Sequence, residues 1–218
     1  MAEHDIAPDR RAAGITVVAA AACWVVAVIE MRGMDMGVST GLGSFGFFIG
    51  VWAAMMAAMM LPGAVPAVTG YARRHRNAGA LALFLTTYLG VWAVFGIAAY
   101  AAYRPHSSTT AGVLAIGAGA YELTPLKRRS RRRCQQAANS GVHLGIFCVG
   151  SSLGLMVLLL AVGAMSVWWM AAIAVLALVQ KLTRPHSHID VALALAIAAF
   201  GALILISPTT VPGLVPAM

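Results

Sequence analysis

Apolar residues gather in seven long stretches, at roughly 14–30, 44–63, 79–103, 110–126, 141–164, 167–182 and 188–206, separated by short polar or basic links. A helix needs about 20 apolar residues to cross the hydrocarbon core, and shorter runs serve where the bilayer thins. These stretches are rich in Ala and Leu and lack the polar/apolar alternation of a membrane strand. The pattern therefore predicts an all-α polytopic transmembrane helix bundle of about seven spans, with six as the lower count. The first stretch follows Arg10-Arg11 as a secretory signal would, but ends in Glu30-Met31-Arg32 and not in a small-x-small cleavage site. It reads as a retained span.

Charge gives this count an internal test, because cytoplasmic loops carry an excess of Lys and Arg. If seven spans alternate sides, one side holds Arg10, Arg11, Arg73, Arg74, Arg76, Lys127, Arg128, Arg129, Arg131, Arg132, Arg133, Lys181 and Arg184. Those are thirteen of the fifteen basic residues, and only Arg32 and Arg104 fall opposite. The expected topology is N-in and C-out: a cytoplasmic segment 1–13, a transmembrane domain 14–206 and an external tail 207–218 carrying Pro208, Pro212 and Pro216. The stretch 127–140 reads as a basic loop on the cytoplasmic lipid face. The expected setting is a bacterial cytoplasmic membrane, with anionic lipids as partners of the basic loops.

Composition agrees. The chain of 218 residues is 61% hydrophobic and 10% charged, against roughly a quarter charged in soluble domains, and its mean hydropathy is +0.84. The net charge of +8 raises nucleic acid as a partner, but its placement beside apolar runs argues against that. The three cysteines are Cys23, Cys134 and Cys148, and their placement predicts no disulfide framework.

Polar and sulfur-bearing side chains inside an apolar chain are the candidates for chemistry. Met34-Asp35-Met36, followed by Gly37, Gly41 and Gly43, puts two thioethers around a carboxylate in an outer loop, a donor set suited to Cu(I). In the second stretch Met55 and Met59 share one helix face, as do Met56 and Met60, with Trp52 joining the first pair. Such a stripe lines a soft-metal path or simply fills helix contacts. Glu122, near the cytoplasmic end of the fourth stretch, is a hard ligand, a proton carrier or a partner for nearby arginines. In the fifth stretch Cys148, Ser152 and Met156 recur every four residues, and Gly150 with Gly154 makes a small-xxx-small pair for close helix approach. His143, Cys148, Met55, Met59, Met60 and Glu122 all fall in the cytoplasmic half, so a joint site is open to them. Gly150-Ser151-Ser152-Leu153-Gly154 fits a serine-nucleophile pattern, yet lies within a predicted span without the strand-turn-helix elbow that pattern needs.

Several of these segments together resemble the bacterial family of domain of unknown function 2182, described as predicted metal-binding integral membrane proteins. The carriers are Met-Asp-Met-Gly from Met34, Trp-x-x-Met-Met-Ala-Ala-Met-Met-Leu-Pro from Trp52, and Tyr-x-Leu-Thr-Pro-Leu-Lys from Tyr121. Further carriers are Gly-x-x-Cys-x-Gly around Cys148, Gly163-Ala164-Met165 with Trp169-Met170, and Lys181. The chain departs from the family's Cys-x-Gly-Cys-Cys by carrying Ser151 and Ser152, and has Gln180 where a glutamate precedes the lysine. The resemblance implies a membrane fold and a bound metal.

The reading that follows is a membrane protein binding or moving a soft transition metal, copper first, with no reaction assigned to it. Its expected donors are Met34, Asp35, Met36, Met55, Met59, Glu122, His143, Cys148 and Met156. Two other readings stay open. One is an accessory or structural membrane subunit that needs a partner subunit; the other is a proton-coupled small-solute transporter using Glu122 and His143.

Overall fold

A computed structural model of the chain describes residues 6–32, 42–75, 77–137, 139–163, 166–183 and 188–211. The regular structure among them is helical: α1 (Ile6–Met31), α2 (Phe45–Arg74), α3 (Ala78–Ala102), α4 (Ser108–Glu122), α5 (Pro125–Gln136), α6 (Gly141–Val162), α7 (Val167–Leu182) and α8 (His188–Ile206), with a 3-10 turn at Pro208–Thr210. Four segments, Arg10–Met31, Phe45–Arg74, Ala78–Ala102 and Gly141–Val162, are long and apolar enough to cross a membrane, while Val167–Leu182 and Asp190–Ile206 are shorter apolar helices. Outward faces carry Val18, Leu83, Val94 and Leu195, all well exposed, as a lipid-facing surface requires.

α2 and α6 are the inner helices. α2 packs on α1, α3 and α7, and α6 on α3, α4, α5 and α7, while α8 lies along α4. α1 meets α2 through one narrow stripe, Ala12, Thr16, Ala20, Ala27 and Met31, all buried; small residues there let the backbones approach. α6 meets α3 in the same way. A side chain at Gly141 would strike the Phe84 carbonyl, and one at Gly145 would lie 2.8 Å from Val91 Cβ.

The helices depart from the sequence expectation in two places. α2 does not end near residue 63 but runs on to Arg74, through Pro62 and Pro66, because neighbouring helices support the turns in which proline has no N–H to give. The segment 110–126 is not one continuous helix. α4 stops at Glu122, and α5 begins where Pro125 takes the first helical turn and the Thr124 hydroxyl accepts from the Lys127 N–H (3.3 Å). The stretch expected to be a basic loop is therefore mostly helix. Its charge hid it: the inward stripe, Lys127, Arg131 and Cys134, is polar, so no apolar period marks the face that packs. Arg129, Arg132 and Arg133 stand exposed.

Candidate metal site

The expected stripe of methionines on α2 is real, and Met55, Met56, Met59 and Met60 are all buried. Trp52 anchors it, donating Nε1–H to the Trp92 carbonyl at 2.9 Å over Gly96, where any side chain would strike the indole. Cys148 and Met156 are buried on α6, two turns apart and so about 12 Å along its axis. Gly150–Gly154 sits within α6 with no elbow. His143 is exposed on α6, lining a surface pocket of about 190 Å³ with Arg133, Gln136 and Phe147. It stands apart from buried Cys148 and is not brought into a joint site with it. Met34, Asp35 and Met36 lie outside the described residues.

Around Cys148 the helices assemble a cluster that spacing alone did not announce. The Tyr88 hydroxyl of α3 lies 3.3 Å from Cys148 Sγ and 3.5 Å from the Met60 carbonyl. The Cys134 thiol of α5 is within hydrogen-bonding reach of Cys148, with the Ser151 hydroxyl beside Cys134. Ser151 also donates to the Cys148 carbonyl at 2.9 Å. From the last turn of α7 the Lys181 ammonium reaches Met60 Sδ at 3.3 Å and also the Cys148 thiol. Sulfurs of two helices, Met60 and Cys148, thus lie beside one lysine nitrogen, and Cys134 of a third lies next to Cys148. Its interaction with Cys148, with burial behind it, pushes the Cys134 thiol well up from its ordinary value, so at neutral pH Cys134 keeps its proton.

Glu122 belongs to a second cluster. Its carboxylate is ion-paired with Lys127 of α5 and accepts from Gln180 Nε2 of α7 at 2.6 Å, while Lys127 also donates to Gln180 Oε1 at 3.0 Å. One turn along α5, Arg131 is ion-paired with Asp190 of α8 and donates to the Thr183 hydroxyl (2.6 Å) and carbonyl (2.8 Å). Lys127 and Arg131 therefore face inward and are not on the lipid face expected for the basic stretch. A buried cation is tolerated only where an opposite charge compensates it. The second oxygen, Glu122 Oε1, has no hydrogen-bond partner and faces Gly154, where a Cβ would lie 2.7 Å away. The close approach that Gly150 and Gly154 suggested is thus made to α5, through Ser130, and to α4.

Cys134, Met60, Tyr88 and Lys181 were not among the expected donors. Lys181 and Met60 did stand in the motifs carrying the family resemblance, and that was the available signal. Cys134 gave none, since it follows a run of arginines. Ser151, standing where the resemblance places a cysteine, has its hydroxyl at Cys134, so a thiol from α5 sits beside the missing one.

Among the described residues no three His, Cys, Asp or Glu side chains converge, so a hard-ion cage is absent from them. Thiol and thioether donors remain, and these select soft ions such as Cu(I).

Comparison with known proteins agrees on the metal. No curated protein and no solved structure matches the chain. Residues 49–204, well over half of it, match a family model described as a copper chaperone, which carries that name and not the unknown-function label the motifs resemble. The matched region holds Met60, Tyr88, Cys134, Cys148 and Lys181, and leaves out Met34, Asp35 and Met36. The chain belongs to the PpoB2 copper chaperone family.

Proposed function

We propose that this protein is a membrane-embedded copper chaperone that holds Cu(I) as cargo on Cys148, Cys134 and Met60 and releases it to an acceptor. The observation that carries the reading is that two thiols and a thioether from α6, α5 and α2 lie together, with the Lys181 nitrogen 3.3 Å from Met60 Sδ beside Cys148, and Cys134 next to Cys148. Thiolate and thioether donors in a dry, low-dielectric setting hold a soft monovalent ion and exclude hard ones. Tyr88 and Ser151 orient the two thiols and are too hard to be ligands themselves.

The remaining expected donors take narrower parts. Met55, Met59 and Met156, buried on the two inner helices, line an approach to the sulfur site, and Met34, Asp35 and Met36 receive the ion at the opposite face. Glu122 is a structural anion and not a ligand, since Lys127 and Gln180 already engage it. The membrane arrangement is seven spans, α1 to α4 and α6 to α8, with α5 on the cytoplasmic side. Arg73, Arg74, Lys181 and the arginines of α5 then share that side, as the charge rule asks. The sulfur site lies in that half of the bundle, so it faces a cytoplasmic source or acceptor.

The test is copper content, by mass spectrometry, of detergent-purified protein expressed with copper and washed. Near-stoichiometric copper in the parent chain, lost in the Cys134→Ser/Cys148→Ser double variant, is expected. Equal copper in a folded double variant would overturn the site.

A further inference from the structure

The sulfur cluster already contains a cation. Lys181 enters it from the last turn of α7, its stem lying across Gly63 of α2, where a Cβ would collide with the lysine chain. Its ammonium ends on Met60 Sδ at 3.3 Å and at the Cys148 thiol. No carboxylate among the described residues is ion-paired with it. The two buried acids nearby, Glu122 and Asp190, are taken by Lys127 and Arg131. A lysine without a carboxylate, its ammonium set against the buried Met60 and Cys148, is an unusual tenant, because ammonium is strongly hydrated and sulfur accepts hydrogen bonds weakly.

Resting on the copper-site reading above, we infer that the Lys181 ammonium is the resident cation of the empty site and that Cu(I) loads by exchange with it. Both carry a single positive charge, and each thiol that becomes a copper ligand gives its proton to water. The exchange breaks the N–H···S contacts at the sulfurs and the S–H bonds of the ligating thiols and forms copper–sulfur bonds, with no electron transferred. The geometry supplies a way out for the displaced group. Lys181 is only partly buried and its helix ends at Leu182, so a flexible four-carbon stem can carry the ammonium to the interface. Its backbone stays put, because Gln135 Nε2 donates to the Lys181 carbonyl at 3.2 Å. Release runs in reverse: the ammonium returns as the ion leaves, so the buried sulfurs are not left without a cation. Lys181 is on this account a positioning residue that sets when the site is open.

Lysine occurs twice in the chain, at 127 and 181, which makes the exchange directly readable. The experiment is labelling of the detergent-purified full chain with an amine-reactive ester at fixed pH, read by peptide mass spectrometry with and without anaerobic Cu(I). Labelling at Lys181 should rise several-fold on copper loading, while ion-paired Lys127 stays protected in both states. In the Cys148→Ala variant, which offers the ammonium no acceptor at that position, Lys181 should label readily even without copper. Bound copper with unchanged labelling at Lys181 overturns the exchange and leaves the copper site standing. Failure of the parent chain to bind copper at all overturns both. Labelling that rises equally at Lys127 and Lys181 points to general loosening and also overturns the exchange.

Discussion

The helix α5 borders two buried polar clusters that are built alike and differ in one respect. On one side Lys127 and Arg131 meet Glu122 and Asp190, with Gln180 and Thr183 supplying further hydrogen bonds. On the other, Cys134 lies beside Cys148, and the Lys181 ammonium lies beside Cys148 and Met60. In the first every buried cation has a carboxylate. In the second no carboxylate among the described residues is ion-paired with the cation, which lies against Met60 Sδ. Ionic partners in a low-dielectric interior hold each other strongly and leave little to exchange. A soft, weakly accepting cluster is a poor host for ammonium and a good one for Cu(I). One side of α5 fastens the bundle, and the other is left exchangeable.

Substitutions sharpen this contrast, and the largest effect belongs to the ionic side. Glu122→Ala strands Lys127 in the interior, and the loss of stability should be about 3–5 kcal/mol, seen as a large fall in thermal midpoint in detergent. Copper per folded molecule should stay the same; a stable variant that has lost copper would return Glu122 to the ligand list. Gly154→Ala puts a methyl 2.7 Å from Glu122 Oε1 and 3.1 Å from the Ala118 carbonyl. Overpacking there should cost about 1–3 kcal/mol, again without loss of copper.

The sulfur side should show the opposite balance. Cys148→Ser keeps the size of the side chain, so it should lower stability by about 1 kcal/mol, within the usual range for a single substitution, yet abolish copper retention. Retained copper at parental stoichiometry in that variant would break the comparison. Gly63→Ala changes no donor and crowds only the flexible Lys181 stem. Stability should move by less than about 1 kcal/mol, while Lys181 becomes more reactive to amine reagents. The smallest effect is expected of His143→Ala, which alters an exposed side chain and should leave both copper content and thermal midpoint unchanged.

Much of the frame was legible before any coordinates. Each apolar run lies on a helix except 110–126, which breaks between α4 and α5, and the methionines whose spacing paired them on α2, Met55 with Met59 and Met56 with Met60, are buried. Helix α5 was not legible, because a face that packs through Lys127, Arg131 and Cys134 has no hydrophobic period to detect. Glu122 stood out as a costly charge, and the alternative of pairing with the nearby arginines was already open. Its partner proved to be Lys127, five residues on, just across the Thr124-Pro125 corner. Asp190, near the start of the last apolar run, gave less warning, since a charge at a helix end looks solvated until Arg131 is seen against it.

The divide follows the range of the forces. Hydrophobic runs, proline positions and the four-residue recurrence of Cys148, Ser152 and Met156 are local properties, and local backbone geometry turns them into helices with defined faces. The sequence by itself determined those helices and the soft character of the donors. Which faces meet depends on close approaches at Gly141, Gly145 and Gly154, and on the corner at Pro125 that turns α5 against α6. Only that packing brings Tyr88, Cys134, Met60 and Lys181 to Cys148, across separations of up to 121 residues between Met60 and Lys181. Spacing along one helix cannot encode such a meeting, because it is decided by how several helices share the same buried volume.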